Sequence, residues 1–591
     1  MFPQFFDLSK LNGKNGFEFR GINPTDNNND NAGWYVSGIG DLNDDDIDDF
    51  AVGAPGFAND LSSWSGRVYI IFGSNKTFPA YFDNSYLNGR NGFTITLSPE
   101  SPVSLGSFVS AIKDVNNDNI DDIAIGTSPA LGNVYIIFGS KNQFNSSFNL
   151  ANLDGKNGFI INGVDSLSSY SGNPGTSISG VGDFNGDKKN DFIIGFSWAN
   201  DARGQSAIIF GNESFDTYFN VSNLDGTNGF NIKGDLIGSW SGWDVSGVGD
   251  VNKDGFSDVA IGAPGGVANN GMLNYVAGRS YVVFGHNGSF PKVFSLSDLN
   301  GDNGFYITSK NGPLPDNDGE TEQLGYSISG GDLNNDNFSD IFVSEGHLYV
   351  FVFFGQSKFQ KSIDTGELNG SNGFYCYAGF VTTPQQFISV GNAGDVNGDK
   401  IIDLIFGDPN QNEACILFGS ESPFAKATVL PPNNQANGFC MVDLFDSDDH
   451  DDDIPNDDNQ PHLNLGWSVS GVGDVTGDKV DDIIVGAPKA HNNAGKAYLI
   501  LGQLYPPPSP SFSPQPSQIP PSSSPNHHVT PTPSSSAGNE SNAGEFEIIG
   551  GIVGGLVAAG LAAGFFIYGK NHDWWCAGES TSVTEGYTAV N

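Results

Sequence analysis

Seven acidic segments of nine residues each are the part of this chain best suited to chemistry. They open at Asp41, Asp114, Asp183, Asp250, Asp332, Asp395 and Asp474. Each has oxygen-bearing side chains at positions 1, 3, 5 and 9. Ca2+ prefers about six to eight hard oxygen ligands at ~2.3–2.6 Å. A short loop supplies them when alternate side chains turn inward and the carbonyl of position 7 joins them. The spacing therefore predicts up to seven Ca2+ sites.

The predicted ligands occupy positions 1, 3, 5, 7 and 9 of every loop, and position 7 contributes its backbone carbonyl. They are Asp41, Asn43, Asp45, Ile47 and Asp49; Asp114, Asn116, Asp118, Ile120 and Asp122; Asp183, Asn185, Asp187, Lys189 and Asp191; Asp250, Asn252, Asp254, Phe256 and Asp258; Asp332, Asn334, Asp336, Phe338 and Asp340; Asp395, Asn397, Asp399, Ile401 and Asp403; Asp474, Thr476, Asp478, Val480 and Asp482.

The loops differ from an EF-hand, which ends in Glu at position 12 between helices. Here position 9 is Asp and an apolar, strand-like run follows. The alternative is that these segments are only turns, since Asp and Asn favour turns. Turn chemistry does not require Asp at positions 1, 5 and 9 in seven copies. Position 6 is Gly255 in the fourth loop but Lys188, Lys400 and Lys479 in three others, where a left-handed turn costs strain.

A larger repeat surrounds each acidic loop. In the fourth copy a segment at 242–249 leads into the loop, and a strand ending at Gly262-Ala263-Pro264 follows it. A second apolar run ends in Gly, as at 68–73, and Asn-Gly-Phe then opens another strand, as at 91–96. About four short β-runs per unit, in seven units, predict an all-β, seven-bladed β-propeller.

The closure of the ring can also be predicted. If the four strands of a unit are named A to D, the chain begins with a D-type segment, Asn15-Gly16-Phe17. The seventh unit ends on a C strand at 497–502 with no D strand after it. We therefore expect the N-terminal segment to complete the seventh blade and to remove its open edge.

These motifs resemble the FG-GAP repeats of integrin α-subunit propellers. A phrase typical of bacterial and protist FG-GAP proteins, Leu-Asp-Gly-x-Asn-Gly-Phe, occurs at 153–159 and 224–230. The resemblance covers roughly residues 5–502. It implies Ca2+ between the first two strands of a blade and ligand binding on the opposite face. Integrin α-subunits carry the loop in only some blades and place β-sandwich domains before the membrane, whereas this chain has seven loops and no such domains.

The composition changes after the propeller, which we assign to 1–503. Residues 504–545 are rich in Pro and Ser and predict a disordered, extended extracellular stalk. Residues 546–568 include an uncharged run from Ile548 to Tyr568, long enough for one transmembrane helix. Residues 569–591 form a short cytoplasmic tail. Small residues at Gly551, Gly555 and Ala559 allow a transmembrane-helix dimer, although such residues are common in these helices.

Charge and cysteine usage limit the compartment and the partners. The net charge of −43 argues against nucleic acid as a partner. Four Cys exclude a disulfide-dense scaffold; Cys415 and Cys440 could form one bridge within the sixth unit and leave Cys376 odd. The acidic run at 443–458 is either a further cation site or a solvated insertion. Asn-x-Ser/Thr acceptors suit an extracellular glycoprotein, but no signal peptide is visible.

The sequence thus favours a single-pass plasma-membrane receptor for adhesion or recognition of protein or glycan ligands, with an extracellular head. Long loops on the face opposite the acidic loops carry candidate anchors at Trp64, Tyr170, Trp240 and Tyr275. Alternatives are the propeller of a cell-surface hydrolase or lyase and a structural wall-to-membrane spacer. We predict that the chain is not an enzyme, because no nucleophile elbow or paired histidine motif appears. The sequence does not name the ligand.

Overall fold

In a computed structural model of the protein, the described residues are 2–22, 30–56, 66–97, 104–128, 133–162, 177–265, 268–269, 272–273, 278–309, 323–346, 349–377, 388–429, 437–443 and 463–504. The chain divides into two compact units, Met1–Ser511 and Phe512–Asn591. The predicted stalk, transmembrane span and tail lie outside the described residues, apart from Leu504. None of the helices within these ranges has the length and apolar character needed to cross a membrane.

Seven sheets form the ring of the first unit, and in each of them strands A, B, C and D follow one another in antiparallel, hydrogen-bonded order. The A strands are Tyr35–Gly40, Ser104–Lys113, Ser177–Gly182, Val245–Gly249, Leu324–Gly331, Ser389–Gly394 and Val469–Gly473; the B strands are Asp49–Ala54, Asp122–Ser128, Asp191–Phe196, Asp258–Ala263, Asp340–Glu345, Asp403–Asp408 and Asp482–Ala487. The C strands are Arg67–Ile71, Val134–Ile137, Gln205–Ile209, Arg279–Val283, Tyr349–Phe353, Glu413–Leu417 and Lys496–Ile500; the D strands are Gly92–Thr96, Gly158–Asn162, Gly229–Lys233, Gly304–Thr308, Gly373–Tyr377, Gly438–Val442 and, for blade 7, Gly16–Arg20.

Each A strand contacts the A strands of the two neighbouring sheets, and the seventh contacts the first. The sheets therefore form a closed ring of seven blades with the A strands innermost. The predicted all-β propeller is confirmed. An apolar core lies between every pair of adjacent blades, which explains why the B and C strands are buried on both faces.

The sheets have five strands rather than the four expected from the sequence. Before its D strand, the chain adds a three-residue strand in parallel to the D strand of the preceding blade. In blade order these fifth strands are Ser147–Asn149, Tyr218–Asn220, Val293–Ser295, Ser362–Asp364, Ala427–Val429, Phe5–Asp7 and Tyr81–Asp83. Runs of three residues carry too little periodicity to be recognised in the sequence.

A few short elements lie between the strands. The 3-10 turns are Leu8–Lys10, Asn84–Tyr86, Leu150–Asn152, Val221–Asn223, Leu296–Asp298 and Thr365–Glu367; the α-helical turns are Ala199–Ala202 and Ala490–Asn493; a small hairpin joins Ala268–Asn269 to Met272–Leu273. The predicted bridge between Cys415 and Cys440 is present, and the third cysteine of the head, Cys376, is buried.

The N-terminal segment closes the ring, as predicted, and does so at two blades. Gly16–Arg20 pairs antiparallel with Lys496–Ile500 as the D strand of blade 7. Phe5–Asp7 pairs in parallel with the D strand of blade 6, and Phe2 stacks on Phe439 with ring centroids 4.0 Å apart. The same stacking recurs at the Asn-Gly-Phe phenylalanine of other blades, for example Phe305 on Phe359 at 4.2 Å.

Candidate functional site

The acidic segments join strand A to strand B in all seven blades, so they lie together on one face of the propeller. Every loop has a left-handed residue at both position 4 and position 6. Their φ angles are 59° and 64° at Asp44 and Asp46, and 61° and 93° at Lys253 and Gly255. The prediction of a left-handed position 6 is confirmed, including at Lys188 with φ 70°. Position 4 was not recognised, although Asp, Asn, Lys or Gly occupies it in each copy.

The left-handed residues turn the backbone around the position 1 carboxylate. One oxygen of this Asp accepts the N–H of position 6 in all seven loops, at 2.6–2.9 Å. The Asp at position 5 accepts the N–H of position 7, at 2.9–3.1 Å. In the fourth loop, Asn252 at position 3 also contacts Asp254, because its Nδ2 donates to Oδ2 at 2.9 Å. Side chains 1, 3 and 5 are thereby brought together inside the loop.

The Asp at position 9 is the buried anchor of each loop. Both of its oxygens accept backbone N–H groups. One oxygen accepts from position 2 at 2.9–3.1 Å. The other accepts from the glycine after strand C at 2.8–3.0 Å. In the fourth blade these donors are Val251 and Gly285, and the acceptor is Asp258. The position 9 Asp therefore holds the loop in place as well as offering oxygen to a cation.

The glycine after strand C was visible in the sequence, but its role was not. A Cβ on Gly285 would lie 2.3 Å from the carbonyl oxygen of Ser257, and the other six blades show the same close approach. Only glycine lets the backbone N–H reach the position 9 carboxylate. The residue after this glycine donates to the position 2 carbonyl of the preceding blade, as from His286 to Phe184 at 2.9 Å. The seven loops are thus hydrogen-bonded into one ring.

The electrostatics of the loops favour a cation. Burial raises the pKa of Asp191 to about 8; its backbone hydrogen bonds oppose this, and the charges of Asp187 and Asp183 add to it. The pKa of Asp340 is raised to about 8 in the same way, and that of Asp258 is well above its usual range. A divalent cation among these carboxylates would offset both the burial and the repulsion. All-oxygen donors are the set that Ca2+ prefers, so the residues present fit this ion.

Position 7 serves partly to connect neighbouring loops. The ring of Phe338 lies under the ammonium group of Lys253 in the preceding loop, 4.9 Å from the centroid.

A second group of possible ligand atoms is formed by an oxygen of Glu413 and the sulfurs of Cys415 and Cys440, which lie within 4.8 Å of one another. Those sulfurs are bonded to each other, so they do not offer thiolates.

The face opposite the acidic loops carries a group of half-buried aromatic side chains where the A strands begin. Trp34 lies against Trp467 at 4.7 Å between ring centroids, and Trp243 lies against Tyr326 at 5.3 Å. Trp240, one of the predicted anchors, lies 5.8 Å from Trp243. The other predicted anchors, Trp64, Tyr170 and Tyr275, lie outside the described residues, as does most of the acidic run at 443–458.

The carboxylate of Asp244 lies beside the Trp243–Tyr326 pair. Asp244 accepts hydrogen bonds from Ser177 Oγ at 2.7 Å, Ile328 N at 2.7 Å and Val245 N at 3.1 Å. Burial raises its pKa to about 6, and the hydrogen bonds oppose this. The pKa of Tyr326 is raised by burial and by the charge of Asp244. The lead-in segment at 242–249 was noticed in the sequence only as part of the repeat.

Comparison with known proteins agrees with the fold and the loops. The family model for the FG-GAP repeat matches residues 241–283 and 465–500. Phosphatidylinositol-glycan-specific phospholipase D of Bos taurus is 29% identical over 232 residues, covering 37% of this chain and 25% of that protein. Integrin alpha-2 of Bos taurus is 31% identical over 159 residues, covering 26% and 12%. Integrin alpha-8 of Gallus gallus is 24% identical over 255 residues, covering 40% and 20%.

The chain carries FG-GAP repeats in a seven-bladed propeller of the integrin α-like kind, and the predicted resemblance is confirmed. It spans a quarter or less of the length of these relatives. The prediction that the chain is not an enzyme is wrong, because an enzyme, the phospholipase D, is among its relatives. That prediction depends on scattered histidines, on acidic residues that fit the metal loops and on the lack of a nucleophile elbow, and none of these features separates the chain from this relative.

Proposed function

We propose that the head is a Ca2+-stabilised recognition module of a cell-surface protein, which binds protein or glycan ligands on the face opposite the acidic loops. The observation that carries this proposal is the sevenfold convergence of loop positions 1, 3 and 5 above a buried Asp at position 9. The ligands would be the thirty-five groups predicted from the sequence. The bound ion would neutralise the carboxylates and thereby fix the loops. The ligand would bind to the aromatic face, the face opposite the acidic loops that carries the half-buried aromatic side chains.

Support for the ligand face comes from its chemistry. Loop-bearing faces of rigid scaffolds are where recognition usually occurs, and Trp and Tyr are frequent binding anchors. The rings of Trp34 and Trp467 lie at the inner strands of blades 1 and 7, and those of Trp243 and Tyr326 lie at the inner strands of blades 4 and 5, where Asp244 adds a negative charge. Rings beside a carboxylate favour ligands that present a cationic or hydroxyl-bearing group. The resemblance to integrin α-subunit propellers likewise implies ligand binding on the face opposite the acidic loops.

The membrane organisation is part of the same proposal. A stalk at 504–545, a span at 546–568 and a cytoplasmic tail at 569–591 would place the head outside the plasma membrane. The integrin relatives favour an extracellular head. Helix dimerisation through the small-residue stripe is a further element of this proposal.

Ca2+ titration of the purified head tests the proposal directly. A site that binds only the folded state adds RT ln(1 + [Ca2+]/Kd), about 2.7 kcal/mol at a hundredfold excess over Kd. We expect EDTA to lower the melting temperature and Ca2+ to restore it. Asp254→Ala should remove one site in calorimetric titration, whereas Asp302→Asn, on an exposed turn outside the loops, should not. A melting curve unchanged by EDTA would overturn the Ca2+ part of the proposal.

Ligand binding needs its own experiment. Binding of the Ca2+-loaded head to protein and glycan arrays should weaken in Trp243→Ala and Trp34→Ala without loss of metal sites. A footprint on the acidic-loop face would contradict the assignment of the faces.

A second candidate is the propeller of a cell-surface hydrolase, which the similarity to phosphatidylinositol-glycan-specific phospholipase D favours. Release of the cleavage products of phosphatidylinositol-glycan from vesicles by the purified chain would support this candidate. Ligand capture without such release would favour the receptor.

A further inference from the structure

Blades 3 and 7 have the same construction at one outer corner. In both, an α-helical turn follows strand B, at Ala199–Ala202 and Ala490–Asn493. Strands C, D and the fifth strand then pair in the same register. Three positions therefore correspond between the blades: the second residue of the turn, the first residue of strand C and the third residue of strand D. They are Asn200, Gln205 and Asn231 in blade 3, and His491, Lys496 and Glu18 in blade 7.

At these three positions the blade 3 corner is neutral and its side chains are hydrogen-bonded to one another. Nδ2 of Asn200 donates to Oε1 of Gln205 at 2.9 Å, and Nε2 of Gln205 donates to Oδ1 of Asn231 at 2.8 Å. This chain of amides ties the helical turn to strands C and D. It shows that uncharged side chains are sufficient to build the corner.

The blade 7 corner carries charges at the same positions. Nζ of Lys496, whose side chain is 3% exposed, lies 3.5 Å from Oε1 of Glu18. The guanidinium of Arg20 also pairs with Glu18 and lies over the ring of Tyr81. Nδ1 of His491 is buried and has no hydrogen-bond partner in the described part of the chain. Burying charges costs stability that the neutral set avoids, so a structural role alone does not explain this set.

A cavity opens beside these groups. Its volume is about 320 Å³, and its lining residues are Arg20, Gly21, Ile22, Asp83, Asn84, Ser85 and His491. A water molecule takes about 30 Å³ in the liquid, so the cavity has room for a small organic molecule rather than a single ion. It lies at the lower end of the ~300–1,000 Å³ range of ligand pockets.

We propose that this corner of blade 7 binds a small organic carboxylate that carries hydroxyl groups, of the size and chemistry of an acidic monosaccharide. The guanidinium of Arg20 is shaped to recognise a carboxylate, and His491 adds an imidazole on the same wall. The carboxylate of Asp83 and the amide of Asn84 suit sugar hydroxyls, and Ser85, whose Oγ donates to Asp83 Oδ1, can accept a hydrogen bond from one. The net charge of −43 repels a polyanion more strongly than a single anion, which favours a ligand with one acidic group. The site is separate from the Ca2+ loops and lies on the opposite face, because the turn that carries His491 joins strand B to strand C. It is at the outer edge of blade 7, whereas the aromatic side chains lie at the innermost strands.

The experiment measures binding of glucuronate, glucose and acetate to the Ca2+-loaded head by calorimetry or saturation-transfer NMR. Glucuronate should bind saturably, and glucose and acetate should each bind at least about tenfold more weakly, since each lacks half of the recognised groups. Acetate or glucose binding as tightly as glucuronate would overturn the assignment of ligand class.

The variant Arg20→Gln removes the guanidinium to which the proposal assigns the ligand carboxylate. It should fold with a similar melting temperature and bind glucuronate about tenfold or more weakly. If Arg20→Gln fails to fold, His491→Asn alone should weaken binding in the same direction. Asn200→Ala, in blade 3, is the matched control and should leave binding unchanged. Glucuronate affinity that is insensitive to the blade 7 substitutions, or no saturable glucuronate binding to the parent head, would refute the site.

Discussion

Removal of residues 1–22 should prevent the head from forming a stable, monomeric ring. This segment gives blade 7 its D strand and blade 6 its fifth strand. Its fully or nearly buried apolar side chains are Phe2, Phe6, Leu8, Phe17 and Phe19. Each buried side chain of this kind contributes about 1.5–3 kcal/mol, or roughly 7–15 kcal/mol for the five. That equals the whole net stability of a typical domain, about 5–15 kcal/mol.

Two graded variants separate the two blades. Deletion of residues 1–10 removes only the blade 6 contribution, including the Phe2–Phe439 stack. Phe17→Ala keeps the segment but empties the core between blades 7 and 1, at a cost of about 3–5 kcal/mol. Lys14→Ala, at an exposed position in the same segment, is the control and should change little.

The assay combines size-exclusion chromatography with urea unfolding in saturating Ca2+. The full deletion should aggregate through the exposed edge of strand C, and a synthetic peptide of residues 1–22 added during refolding should restore the monomer. A truncated head that stays monomeric with an unchanged unfolding midpoint would refute the reasoning, because the buried side chains would then contribute nothing to closure.

Three smaller predictions concern single residues. Gly285→Ala should lower the free energy of unfolding by about 1–3 kcal/mol, because its Cβ would lie 2.3 Å from the Ser257 carbonyl oxygen; urea unfolding measures this, and an unchanged midpoint would contradict it. Lys188→Gly should stabilise the head by about 0.5–1 kcal/mol in metal-free buffer, because it relieves a left-handed non-glycine residue at φ 70°; a destabilised variant would show that the lysine side chain matters more. Burial raises the pKa of Glu413 to about 7 from 4.5, so the folded state holds this proton more tightly and stability falls as pH rises from 4.5 to 7. Glu413→Gln should therefore be more stable than the parent at pH 8, by up to about 3 kcal/mol, and nearly equal at pH 4; equal unfolding free energies at pH 8 would count against the shift.

The repeat itself could be read from local sequence. Asp at loop positions 1, 5 and 9, the Gly that ends strand C and the Asn-Gly-Phe that opens strand D recur in register. These features fix turns and short strands through interactions within a few residues, such as the hydrogen bonds from Ile47 and Asp46 to Asp45 and Asp41. Seven local units, each unable to bury both faces of its sheet alone, were enough to predict a propeller and its closure.

What lay beyond the sequence depends on contacts between units. The fifth strands are three residues long and exist only because the D strand of another blade offers an edge. The sequence predicts the Asp at position 9 as a metal ligand. It does not predict that this Asp also accepts the N–H of the glycine after strand C, because the two residues are far apart in the chain. Asp258 and Gly285, for example, are separated by 27 residues.

The aromatic face and the blade 7 cavity, the two surfaces proposed to bind ligands, are both formed by contacts between residues far apart in the sequence. The aromatic face joins Trp34 to Trp467, which are adjacent only because the ring closes. The blade 7 cavity brings Arg20 beside His491 for the same reason. A sequence pattern records the preferences of neighbouring residues, whereas these sites are built from side chains that approach each other only when seven blades complete a circle.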